Sequence, residues 1–88
     1  MSEDKKHELI HREILAAYIT VLDQPEKLLE ACLNAVGGMV DARLAVEKAF
    51  GFSTVAADAV LSMQIQRFTP LERNRIQDEL AALDASLA

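Results

Sequence analysis

The sequence predicts an all-α fold of about five helices, and three observations support this. Alanine and leucine are the commonest residues in an 88-residue chain that is 51% hydrophobic but only 5% aromatic, a composition suited to helix-on-helix packing. Helix start and stop signals divide the chain: Gln24-Pro25, Ser53 and Thr69-Pro70 as starts, Gly37-Gly38 and Gly51 as stops. Apolar residues also recur at steps of four, three and four in two places, Ile10, Ile14, Ala17, Val21 and Ile76, Leu80, Leu83, Leu87. No stretch reads as a strand.

Residues 1 to 6 are polar and are expected to fray as a leader, leaving residues 7–88 as one helical domain. The first helix runs from His7 to about Leu22, with the narrow seam of a coiled-coil arm flanked by Leu15, Tyr18 and Leu22. Asp23 or Gln24 caps the second, which opens on Pro25 and runs to about Val36, burying Leu28, Leu29, Cys32 and Leu33. Gly37-Gly38 stops it. The third spans Val40 to Phe50, with Val40, Leu44 and Phe50 inward and Asp41, Arg43, Glu47 and Lys48 outward. Gly51 closes it. The fourth starts on a Ser53 cap and runs through Met63. The fifth starts on the Thr69-Pro70-Leu71-Glu72 capping box and continues to the end. The first and last helices carry matching seams, so they are expected to pair antiparallel as a short two-helix arm. The three helices between them would form a head.

The fourth helix is apolar over most of its circumference. Val55, Ala56, Ala59, Val60 and Met63 make one face, Ala57, Leu61 and Ile65 widen it, and only Thr54, Asp58 and Ser62 are polar. So short a chain has little with which to cover such a helix, so Val55, Ala56, Ala59, Val60 and Met63 are expected to form a dimer interface.

Charge and cysteine usage narrow the remaining classes. A net charge of −5 argues against a nucleic-acid-binding surface, because phosphate attraction requires a basic patch. Arg67, Arg73 and Arg75 cluster, but Glu72, Asp78 and Glu79 lie among them and make a solvated, salt-bridged face. Cys32 is the lone cysteine, a small buried hydrophobe by its neighbours, and suits a reducing cytoplasm. No secretory leader is visible and no apolar run approaches membrane-spanning length, so a cytoplasmic protein without membrane contact is expected.

One catalytic motif is literally present. His7-Glu8-Leu9-Ile10-His11 is H-E-x-x-H, which on a helix sets two imidazoles one turn apart, as in zinc peptidases. A third ligand and a substrate-aligning strand are missing from the pattern, and Lys5, Lys6, Arg12 and Glu13 make the site read as a solvated helix end. A small helical mutase would need several inward arginines. Arg12, Arg43, Arg67, Arg73 and Arg75 mostly fall on outward faces. No catalytic, cofactor-binding or metal-binding residue is therefore expected, and Met39 and Met63 read as packing residues.

Gly51 to Leu71 resembles the helical segment near the exit gate of the type IIA DNA topoisomerases, that is, the A subunits of DNA gyrase and topoisomerase IV. The matching positions are Gly51, Ser53, Ala57, Ala59, Leu61, Met63, Thr69, Leu71 and Glu72, with conservative replacements at Phe52, Val60, Ile65 and Phe68. Departures occur at Ala56, Ser62 and Pro70. His11 to Asp23 and Pro25 to Val36 resemble the preceding helices more loosely. The resemblance implies a homodimeric, all-helical gate piece at the tip of paired arms. It implies no topoisomerase activity, since the domain bearing the DNA-cleaving tyrosine has no counterpart here and Tyr18 matches nothing catalytic. It also admits a regulatory role, in which the chain pairs with the A subunit of the host's own gyrase or topoisomerase IV.

Overall fold

The computed structural model describes residues 2–88; Met1, and with it the start of the expected leader, lies outside the described residues. Among the described residues five α-helices follow one another: α1 Ser2–Asp23, α2 Pro25–Leu33, α3 Met39–Phe50, α4 Thr54–Leu61 and α5 Pro70–Leu87, with a short 3-10 turn, Ile65–Phe68, before α5. No strand occurs among them. The all-α expectation therefore holds, but several boundaries and faces differ. α1 takes in residues 2 to 6 of the expected leader as helix.

α1 packs most closely against α5. Their ion pairs fix the direction. His11 meets Glu79 at 2.9 Å and Arg12 meets Asp84, both about midway along α1, while Asp23 at the inner end of α1 meets Arg73 in the first turn of α5. The two helices are thus antiparallel, with Ile76 buried on the α5 side and Leu15 on the α1 side.

The head is built around Ala17 and Val21 of α1, Leu28 and Ala31 of α2, Val46 of α3, and Ala56, Ala57 and Val60 of α4. Alanine-rich faces let the helices approach closely, so the core stays dense without large side chains. The starts follow the sequence signals. Ser53 Oγ accepts from the Ala56 amide at 3.2 Å, and Thr69 Oγ1 accepts from the Glu72 amide at 3.4 Å. The capping box is one-way, since the Thr69 amide donates to the Gln66 carbonyl and Glu72 turns to Arg75 instead. Gly51 closes α3 in the left-handed conformation at φ 73°, where a side chain would be strained.

Three corrections concern the head. α2 stops at Leu33, not Val36: Asn34 caps it, and Gly38, at φ 86°, opens α3. α4 ends at Leu61, with Ser62 capping it, so Met63 lies beyond the helix. The faces of α2 and α3 also differ from the expected ones. Leu29 and Leu33 are exposed, as are Val40 and Leu44, whereas the expected outward pair Arg43 and Glu47 is largely covered. The reason is local. Arg43 and Glu47 turn towards α4, where Arg43 Nη1 lies 4.0 Å from Asp58 and Thr54 Oγ1 donates to Glu47 at 3.4 Å. Val46, between them on the helix, becomes wholly buried, and Val40 and Leu44 are left on the outer side.

Candidate association surface

Between α2 and α3 the chain turns through Asn34-Ala35-Val36-Gly37-Gly38. The Asn34 and Ala35 amides still bond back to the Glu30 and Cys32 carbonyls, at 3.1 Å each, so the segment leaves α2 as a tight turn that projects its side chains outward. Val36 is 95% exposed and Leu33 83%, and Met39 and Val40 continue the same exposed stretch. From Leu33 to Val40 there is no charged residue. Exposed leucines or valines scattered singly mean little, but Leu33, Val36, Met39 and Val40 stand close together along one turn, with the Asp41 carboxylate against Gly37 among them.

Beside this corner lies a groove of about 480 Å³ between α2, the end of α4 and the 3-10 turn. Leu22, Leu28, Cys32, Leu61, Met63 and Phe68 line it, and Leu29 and Ile65 stand at its edge. No charged residue lines it. Leu29 and Leu33 lie one helical turn apart on α2, so groove and corner form one continuous apolar face. A larger hollow between α2 and α3 is lined by Lys27, Glu30, Asn34 and Lys48 together with alanines. Its charges are of mixed sign, and Lys27 lies over the Phe50 ring at 4.8 Å instead of turning inward.

The residues expected to form the interface divide. Ala56 is 1% exposed and Val60 2%, both covered by the chain's own helices, because α1 and α3 pack on α4. They belong to the core of the single chain. Val55 is 48% exposed, Ala59 and Met63 are half-buried, and of the five only Val60 and Met63 reach the groove. Leu29, Leu33, Val36, Met39, Val40 and Leu44 are not among the interface residues that the sequence singles out. The uncharged tract Leu33–Val40 is the available signal. Periodicity hides it, because those residues fit the apolar stripes of two helices that the loop in fact interrupts.

Elsewhere several charged groups pair at the surface. Arg73 donates to Asp23 at 2.8 and 2.9 Å; these bonds hold the Asp23 carboxyl below the usual carboxylate range and raise Arg73 above its own. In the H-E-x-x-H segment, His7 is exposed and His11 Nε2 is engaged by Glu79 of α5. Among the described residues no three His, Cys, Asp or Glu side chains gather where they could hold a metal ion. Cys32 is a free thiol, half-buried at the groove. No helix among the described residues is long and apolar enough to cross a membrane.

Comparison with known proteins gives this helical head and helix pair a context. The chain is similar to part of the DNA gyrase A protein. It is 32% identical over 84 residues to the DNA gyrase A protein of Mycobacterium bovis BCG, and equally to that of Mycobacterium tuberculosis H37Rv. The match takes in 96% of this chain but 10% of each relative, so the chain spans about a tenth of their length. No family model matches the chain. The similarity reaches from the helix pair through the head, so it is not confined to the Gly51–Leu71 segment.

Proposed function

We propose that this chain is a non-catalytic dimerisation module, comparable to the exit-gate piece of gyrase A, which works in the cytoplasm as a homodimeric scaffold. The observation that carries the reading is the uncovered apolar face of α2, α3 and the groove. The accessible surface is 5903 Å². Surface scaling gives about 5,100 Å² for a compact monomer of this size, so the excess is about 800 Å² per chain. The molecule is also thin, 41 × 30 × 17 Å, so few helices can be covered on both sides by a single chain.

Sedimentation equilibrium across the micromolar range tests this. The expected result is a mass twice that of the chain, with dissociation on dilution; a monomer throughout would overturn the reading. The similarity to gyrase A over nearly the whole chain favours a second reading, in which the same face pairs with gyrase A itself and interferes with its gate. Native mass measurement with purified gyrase A separates the two: a mixed complex supports the second, and only self-paired dimers support the first.

A further inference from the structure

α5 differs from the other helices in what holds it. Among the described residues none of its side chains belongs to the buried core of the head, which α1 to α4 supply. It packs on α1 and on the 3-10 turn. Ile76 is buried on its side of the pair and Leu15 on that of α1, yet both lie outside the head core. Leu80, Leu83 and Leu87 are only half-buried. The remaining latches are the pairs His11–Glu79, Arg12–Asp84 and Asp23–Arg73, each open to water, where such pairs add little. A unit of a fold that buries little outside itself opens separately and at lower cost than the whole. We infer that α5 is a strap, which swings off α1 about Thr69–Pro70 while the head stays folded. The joint is placed for it. Phe68, just before, packs against the head core and anchors the root of the strap. Thr69 is extended, at φ −71° and ψ 148°, and Pro70 has no amide hydrogen to bond back to the turn. A hinge needs only a few such residues at the end of an element. Release uncovers matched apolar surfaces, Leu15 on α1 and Ile76, Leu80 and Leu83 on α5, which re-form the same contact on closure.

Hydrogen exchange of the intact chain, followed amide by amide by NMR, tests the strap. The Ile76 and Leu80 amides are expected to be at least a hundredfold less protected than those of Val46 and Val60. Their exchange should respond to urea with less than half the slope, because release exposes one helix face and not the core. Val46→Ala separates release from global unfolding. It is expected to lower the protection of the Val60 amide at least tenfold and to leave that of Ile76 and Leu80 within twofold of the parent. Equal loss at both places would mean that α5 opens only with the whole molecule, and would overturn the strap. So would fraying confined to the last turn, with Ile76 and Leu80 as protected as Val60. Should Val46→Ala not fold, the urea slopes of the parent chain decide alone: equal slopes overturn the strap, and the smaller slope at α5 upholds it.

Discussion

Asp23 and Arg73 are fifty residues apart in sequence and share a two-pronged ion pair that ties the end of α1 to the start of α5. Asp23 loses its proton more readily in the folded chain than in the unfolded one, so the unfolded state binds more protons as the pH falls. The stabilisation is therefore present above about pH 4 and is lost as the pH drops through the lowered folded value. Asp23→Asn is expected to lower the urea midpoint at pH 7 and to converge with the parent protein once the pH falls below the lowered folded value of Asp23. Ser53 also acts at this scale. Its hydroxyl oxygen accepts from the Ala56 amide, and it donates to Glu13 Oε1 at 2.9 Å, joining α4 to α1. Loss of the cap in Ser53→Ala is expected to cost about 1 kcal/mol, measurable by equilibrium urea unfolding.

At the scale of elements, α3 provides the sharpest contrast between pattern and packing. Val46 is wholly buried, whereas Val40, six residues earlier on the same helix, is exposed. Val46→Ala is expected to destabilise the monomer by about 2 kcal/mol through lost burial and the cavity left behind. Val40→Ser should change it by less than about 0.5 kcal/mol, as surface substitutions do. Thermal melts of both variants at low concentration check the pair. Helix starts were legible in the sequence because capping is chemistry local to a few residues: Ser53, Thr69, Pro25 and Pro70 all stand where their side chains or rings demand. The antiparallel pairing of α1 and α5 was legible too, from matching seams at the two ends of the chain. Which side of α2 and α3 faces inward was not. Both helices carry apolar residues on more than one side, and the choice was made by Arg43 and Glu47 finding partners on α4, a contact that periodicity does not encode. The same limit explains the candidate site. Apolarity marked α4 as important but could not tell a helix covered by its own chain from one awaiting another.

For the molecule as a whole, the proposed association would be linked to stability. A dimer that forms only from folded chains raises the thermal midpoint with concentration. The midpoint is expected to climb steadily between one and one hundred micromolar in the parent protein, and to stay flat over that range in Val36→Glu. A flat midpoint in both would point to a chain that folds and functions alone. The similarity to gyrase A covers helix pair and head together.

The antiparallel helix pair has a mechanical consequence. Asp4, Lys5 and Glu8 lie beside Ser86, Leu87 and Ala88, so the first and last turns of the molecule are neighbours. A pull applied between them loads the pair as a zipper and not in shear. The contacts of His11 and Arg12 with α5 would part first, and the clasp of Asp23 on Arg73 would be the last tooth before the head feels any tension.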